Sequence, residues 1–178
     1  MNRDKVIKDI FSVLGVAGII TVAVLAPNAL QIFGNQYVKG KRRTQLKRSL
    51  KSLERKDLVS IKEEEGKTTI SLTKNGKRKI LEFKANDMVI KKPKKWDKKW
   101  RLVIFDVPNS YSASRLTFTR KLKELGFKYM QKSVWIYPYP CENEVDFLKE
   151  LYEIRPYVRI VTAESVDIQD DLIKKFDL

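Results

Sequence analysis

The sequence contains no histidine and only one cysteine, Cys141, among its 178 residues. Without an imidazole, the Ser-His-Asp and Cys-His mechanisms of nucleophilic catalysis are excluded. A single cysteine also excludes an internal disulfide and, together with the missing histidine, the usual zinc sites. The seven glycines stand singly along the chain, so no glycine-rich phosphate loop is present and nucleotide hydrolysis is not expected. Carboxylates, hydroxyls and lysines remain for any chemistry.

Positive charge, by contrast, is in excess. The chain has 37 Lys and Arg against 22 Asp and Glu, a net charge of +15. Residues 39–101 hold 23 basic and eight acidic side chains, whereas residues 1–38 and 102–178 are each within one charge of neutrality. Such a basic block is typical of a surface that binds a polyanion, although a lysine-rich solvated surface has the same composition. The length allows one domain or two small ones.

The amino-terminal part has few charges, and none lies between Ile10 and Val38. One interpretation is a membrane span over Ile10–Ala26, which at 17 residues is at the short limit for crossing a bilayer. The other, which we favour together with a cytoplasmic location, is a helix over residues 4–14. Its apolar face would consist of Val6, Ile7, Ile10, Phe11 and Leu14. Gly15 and Gly18 would separate it from a second apolar helix, and Pro27 would start or end a further turn.

The middle segment begins with an amphipathic basic helix over residues 41–59. Leu46, Leu50 and Leu53 fall on one narrow stripe at helical spacing. The other positions are rich in cations, as a recognition helix in a DNA major groove requires, although an ordinary surface helix has a similar pattern. The candidate DNA-binding residues on this helix are Arg42, Arg43, Thr44, Gln45, Lys47, Arg48 and Lys51.

A hairpin and a second basic helix follow. Residues 59–72 alternate in polarity around a turn at 64–67, where Gly66 supplies the necessary backbone freedom, and Lys67 would lie at the tip. Thr73 is expected to cap the next helix, which begins KNGKRK. A basic helix, a two-stranded wing and a further helix are similar in order to winged helix-turn-helix domains, with double-stranded DNA as the partner. We therefore predict such a domain over residues 1–85.

A lysine- and proline-rich segment, KKPKKWDKK, follows this domain and is expected to remain extended. We assign residues 86–99 to a linker and residues 100–178 to a second domain. Strand and helix patterns in the second domain alternate in the order βαββαβ, which is the ferredoxin-like plan, followed by a tail of one strand or helix. The predicted fold class is therefore α+β, with a winged helix followed by a ferredoxin-like domain.

Three motifs in the second domain carry a resemblance to a known family. The stretches WDKKWRLVIFDVP, RKLKELGF and QKSVWIYPYP resemble the central domain of PaaX-type transcriptional repressors, which is itself similar to the small ferredoxin-like subunit of the CRISPR spacer-acquisition complex. The resemblance covers about residues 96–165. It implies a DNA-binding repressor that acts as a homodimer through its ferredoxin-like domains, without a cofactor.

Two alternatives to a repressor remain open. The CRISPR-associated relatives use an aspartate at the end of the first strand in divalent-metal binding, and Asp106 matches that position. Asp106 is accordingly a candidate catalytic and metal residue of a Mg²⁺-dependent nuclease, or else a strand-end residue whose side chain bonds the following backbone. A membrane-tethered, basic DNA-binding protein anchored by Ile10–Ala26 is the other alternative. Cys141 and the aromatic residues Trp96, Trp100, Trp135, Tyr137 and Tyr139 are expected to pack rather than to react or stack on bases.

Overall fold

A computed structural model describes residues 3–17, 19–23, 32–33, 35, 40–64 and 67–178. The chain divides into two compact units, residues 1–84 and 85–178. Each unit combines helices with an antiparallel sheet, so the predicted α+β class is confirmed.

The first unit is built around a three-stranded sheet. Its described elements are α1 (Arg3–Ala17), β1 (Ile19–Ala23), α2 (Gly40–Arg55), β2 (Val59–Glu64), β3 (Lys67–Leu72) and α3 (Lys74–Asn86), whose last two residues belong to the second unit. The strands lie in the order β1-β3-β2, and both neighbouring pairs are antiparallel. The predicted hairpin of residues 59–72 is thus present, and Gly66 at its turn lies outside the described residues.

The core of the first unit forms where α1 and α2 meet the sheet. Four of the five apolar α1 positions predicted to share a face are buried, namely Val6, Ile10, Phe11 and Leu14, and Ile7 packs against them partly exposed. They join the three leucines of α2 together with Val59 and Ile70. The periodicity of the sequence therefore identified the faces that pack, because burial of apolar side chains is the dominant favourable term in folding.

The prediction of a second apolar helix after Gly15 is wrong. Helix α1 continues through Gly15 to Ala17, and residues 19–23 form strand β1, which pairs with β3 from Ile19 opposite Ser71 to Ala23 opposite Lys67. The β-branched run Ile-Ile-Thr-Val suits a strand, and the β3 edge supplies the hydrogen bonds. Pro27 lies outside the described residues. Among the helices described, none has the length and apolar character needed to cross a bilayer.

The second unit has a four-stranded antiparallel sheet. Its elements are β4 (Trp100–Phe105), α4 (Ser112–Glu124), β5 (Lys128–Gln131), β6 (Val134–Tyr137), α5 (Glu142–Leu151), β7 (Val158–Ala163) and α6 (Gln169–Phe176). The strand order is β5-β6-β4-β7. Each helix and strand expected between residues 100 and 163 is present, with ends shifted by a few residues at most, and the tail forms a helix.

Both faces of this sheet carry apolar side chains. On one face, Val103 and Phe105 belong to the core that includes Phe118 of α4 and Val145 of α5. The Phe105 and Phe118 rings meet edge to face, with centroids 5.6 Å apart. On the other face, Trp100 and Ile136 form a smaller buried cluster with Leu172 of α6, so the tail helix covers part of the sheet.

The segment expected to be an extended linker is partly folded. Ile90 is buried in the core of the second unit, with Met88 packed against that core. Nearer β4, Trp96 packs beside Trp100, with ring centroids 4.9 Å apart, and its indole Nε1 donates a hydrogen bond to the carbonyl of Lys99 at 3.1 Å. Apolar residues interspersed with the lysines thus anchor this segment to the unit that follows.

Candidate nucleic-acid interface

Helix α2 separates an apolar side from a basic side. Leu46, Leu50 and Leu53 are all buried within the first unit. The predicted DNA-binding residues lie mainly outward: Arg42, Arg43, Thr44, Lys47, Arg48 and Lys51 are exposed, and Gln45 is half-buried. The helix therefore holds five exposed cations on a surface that its own leucines fix to the core, an arrangement able to contact a row of phosphates.

Two features of α2 were not singled out from the sequence. Ser49 is buried, at 4% exposure, on the side that faces the core. Arg55 and Lys56 are exposed and lengthen the basic surface toward the carboxy-terminal end of the helix. Cations at this end also complement the partial negative charge of the last helical carbonyls. The spacing of Arg55 from Arg48 and Lys51 was the signal available for including it.

The end of α2 is fixed to the start of α3 by hydrogen bonds around Asp57. Asp57 adopts a left-handed backbone with φ of 54°, and its carbonyl accepts a hydrogen bond from Thr73 Oγ1 at 2.5 Å. Its carboxylate accepts another from Asn75 Nδ2 at 2.8 Å. The Leu58 N–H closes the helix by donating to the Leu53 carbonyl at 2.9 Å. These bonds set the direction of α2 relative to the hairpin.

The predicted cap of α3 is present. The Gly76 N–H donates to Thr73 Oγ1 at 3.0 Å, which satisfies one of the amide groups left free at a helix start. Further along the helix, Glu82 forms ion pairs with Arg78 at 3.9 Å and Lys79 at 2.7 Å. Part of the positive charge of α3 is therefore neutralised within the helix.

Lys67 lies at the distal end of the hairpin, as expected for a residue at a wing tip. It is exposed, and it stands opposite Glu64 in the antiparallel register of β2 and β3. Glu63 is also exposed on β2. Because these carboxylates lie near Lys67, the hairpin end has a weaker positive potential than α2, a feature that counting lysines alone did not reveal.

Asp106 lies just after β4. Its backbone N–H donates to the carbonyl of Tyr157 at 3.0 Å, and its side chain is exposed. Across the described residues, no group of three or more carboxylates, cysteines or histidines is placed to hold a metal ion. Asp106 thus contributes one carboxylate per chain, whereas Mg²⁺ is usually held by one or two carboxylates together with substrate oxygens.

Most aromatic residues that were weighed as base-stacking groups are packed instead. Trp100 is fully buried, and the Tyr137 ring stacks on Phe127 with centroids 4.7 Å apart. Burial raises the pKa of the Tyr137 hydroxyl above its ordinary value. Tyr129, which no sequence motif singled out, is 61% exposed and is the aromatic side chain of this unit most open to solvent among those described.

Cys141 is a buried side chain rather than a nucleophile. It is 1% exposed and unpaired, and desolvation by burial raises its pKa to about 12. Glu142 and Glu144 raise the pKa further through their negative charge, and Arg101 acts in the opposite direction. The thiolate, which is the nucleophilic form, is therefore strongly disfavoured near neutral pH.

The two units define an α+β protein with a basic helix in the first unit and a four-stranded antiparallel sheet in the second. Residues 93–173 match the family model of the PaaX protein central Cas2-like domain. The chain thus contains a PaaX-type domain, and the resemblance noted from the three motifs is confirmed. At a coarse level, this domain indicates a transcriptional regulator. A comparison with curated proteins finds no match.

Proposed function

We propose that the protein is a DNA-binding transcriptional repressor whose α2 enters the major groove of double-stranded DNA. The observation that carries this proposal is the exposed basic surface of α2 above its buried leucines. The element order supports it, because a helix followed by a β-hairpin and a third helix, with β1 added to the same sheet, is the arrangement of a winged helix. A cytoplasmic location follows from this function.

Each candidate residue has a role that its position allows. Lys47, Arg48 and Lys51 are exposed along one side of α2 and would enter the groove, where arginine and lysine recognise guanine edges and phosphates. Arg42 and Arg43 would hold phosphates at the amino-terminal end. Thr44 and Gln45 are uncharged hydrogen-bonding groups beside them, suited to base edges, and Lys67 would reach a neighbouring phosphate from the wing.

Replacing Arg48 and Lys51 together with glutamine tests this placement. Binding of the full chain to a fluorescein-labelled duplex, first identified by selection from random sequences, is followed by anisotropy over a series of salt concentrations. We expect weaker binding and a slope of log Kobs against log[salt] that is lower by about 0.9 for each phosphate no longer neutralised. The matched control removes the same charge from Lys174 and Lys175, which are exposed on α6. Equal behaviour of the two double variants would refute the role of α2.

We further propose that the repressor is a homodimer formed through its second unit. The order β5-β6-β4-β7 with all neighbours antiparallel is that of a ferredoxin-like sheet, which supports the dimer implied by the family. On the face that α6 only partly covers, Ile104 and Val161 are 38% and 43% exposed. Two adjacent exposed apolar residues on one sheet face are suited to contact a second copy.

Light scattering after size-exclusion chromatography measures the oligomeric state directly. We expect the wild type to have the mass of a dimer and Ile104→Glu that of a monomer, because a charge cannot be buried unpaired at the interface. Leu116→Glu is the control, since Leu116 is 70% exposed on α4. A monomeric wild type would contradict the dimer, and a duplex selected by the protein should then lack two-fold symmetry.

A further inference from the structure

Between α3 and β4, the chain presents a dense group of lysines that the proposed recognition helix does not use. The segment consists of residues 91–99, and six of its nine side chains are exposed lysines: Lys91, Lys92, Lys94, Lys95, Lys98 and Lys99. Its one acidic residue is Asp97. We call residues 91–99 the lysine segment.

The acidic residue does not neutralise these lysines, because it is engaged elsewhere. Both carboxylate oxygens of Asp97 accept hydrogen bonds from the Arg101 guanidinium, at 2.8 and 2.6 Å. Among the ion pairs of the described residues, none involves a lysine of this segment. Six cations therefore repel one another within a short stretch of chain, and a polyanion would relieve that repulsion.

The carboxy-terminal half of the lysine segment has a defined backbone. Lys98 adopts a left-handed conformation with φ of 59°, and the Lys99 N–H donates to Asp97 Oδ1 at 3.1 Å. The Lys99 carbonyl in turn accepts from Trp96 Nε1 and from Arg101 Nη1, each at 3.1 Å. A backbone that is already ordered loses less entropy on binding, so these lysines can contact a ligand at lower cost than those of a free tail.

The composition of the lysine segment favours nucleic acid over a membrane surface. Peripheral membrane binding usually combines basic residues with apolar side chains that enter the bilayer interface. Trp96 is the large apolar residue of this segment, and it packs inward on the cluster of Trp100 and Leu172. The lysines are thus left without an apolar anchor, as in a surface that binds phosphates by charge alone.

We infer that the lysine segment is a second DNA-contacting element, which binds backbone phosphates without reading sequence. This inference rests on the proposed DNA-binding function. Lysine is a compact, strongly hydrated point charge that suits non-specific phosphate contact better than base recognition. The segment therefore adds affinity and salt dependence for any duplex, while α2 supplies the preference for one sequence.

The test removes four lysines that lie before the ordered turn. The variant carries glutamine at Lys91, Lys92, Lys94 and Lys95 in the full chain, which leaves the Asp97–Arg101 pair intact. The matched control carries glutamine at Lys123, Lys132, Lys174 and Lys175, four exposed lysines of the same unit. Tryptophan fluorescence checks that both variants fold. Affinity for a labelled duplex of random sequence and for the selected duplex is measured by anisotropy between about 50 and 200 mM NaCl.

We expect the lysine-segment variant to bind both duplexes more weakly by a similar factor. Its slope of log Kobs against log[salt] should fall by about 0.9 for each phosphate released from the segment, about 2 to 4 in all, and exceed the change in the control. Equal changes in variant and control would overturn the inference, as would weakening confined to the selected duplex or to anionic vesicles. If the wild type bound no duplex, the proposed function would fail as well. If only the Arg48 and Lys51 variant bound weakly, that function would stand and this inference would fall.

Discussion

Arg101 and Asp97 are joined by two parallel hydrogen bonds, from Nη1 to Oδ1 at 2.8 Å and from Nη2 to Oδ2 at 2.6 Å. The Arg101 side chain is only 7% exposed, and its Nη1 also donates to the carbonyl of Pro138 at 3.3 Å. Its Nε lies 3.5 Å from Glu142 Oε1 but makes no hydrogen bond. Asp97 is therefore the principal partner of a buried cation, and it fixes residues 96–99 to strand β4.

Replacing Asp97 with asparagine should destabilise the second unit. The change leaves the Arg101 guanidinium buried with Glu142 as its remaining carboxylate, and the charged hydrogen bonds that it removes are worth about 1–3 kcal/mol once the partial exposure of Asp97 is allowed for. Urea unfolding followed by tryptophan fluorescence measures this, because Trp96, Trp100 and Trp135 all belong to residues 85–178. Asp167→Asn, a change at an exposed residue before α6, should leave the midpoint unchanged. Equal midpoints for the two variants would contradict the role of the pair.

The contribution of this ion pair should disappear in acid. The hydrogen bond from Arg101 is the main cause that lowers the pKa of Asp97 below its ordinary value of 3.8, and desolvation opposes it. A carboxyl group with a lowered pKa in the folded state stabilises the fold above its unfolded pKa and loses this effect as the pH falls through the folded pKa. The difference in unfolding free energy between wild type and Asp97→Asn should thus be full at about pH 6 and smaller at about pH 3. A difference that stayed constant over this range would show that the charge of Asp97 is not responsible.

Gly76 permits a close approach between α3 and the loop after α2. A Cβ added at this position would overlap the carbonyl oxygen of Leu58, which is backbone and has little room to move. Alanine usually stabilises a helix relative to glycine by about 1 kcal/mol, but here Gly76→Ala should lower the stability of the first unit by more than that amount. Far-UV circular dichroism during urea unfolding measures the change. Lys77→Ala at the next, exposed position is the control, and a Gly76→Ala midpoint equal to or above it would exclude the overlap.

Local patterns in the sequence predicted much of this fold, because they report which side chains are buried. The spacing of Leu46, Leu50 and Leu53 identified the inner side of α2, and Thr73 was correctly expected to cap α3. The alternation of residues 59–72 likewise gave the hairpin. Each of these signals depends on neighbours within a few residues along the chain.

Features that depend on distant partners were missed. Residues 19–23 form a strand only because β3, some fifty residues later, offers an edge, and the apolar run alone suited a helix equally well. Arg101 stands in a strand of apolar residues, and its burial depends on Asp97 and on the Pro138 carbonyl. Lys121 is similarly buried at 6% exposure, with its Nζ 3.3 Å from Glu124 Oε2. Charge alone would have placed both cations on the surface.

Cys141 should be unreactive while the protein is folded. Its thiol is almost fully buried, and its pKa of about 12 leaves very little thiolate at about pH 8. Because the pKa is raised, reactivity should increase only as the pH approaches that value or when unfolding exposes the side chain. The rate of reaction with a thiol-specific disulfide reagent, compared between native protein and protein in urea, measures this directly. We expect slow labelling of the native protein, at a rate set by opening of the second unit, and complete labelling in denaturant. Rapid native labelling at the rate of a free cysteine would show that this part of the core, where the Cys141 N–H donates to Glu142 Oε2 at 2.9 Å, is open to solvent.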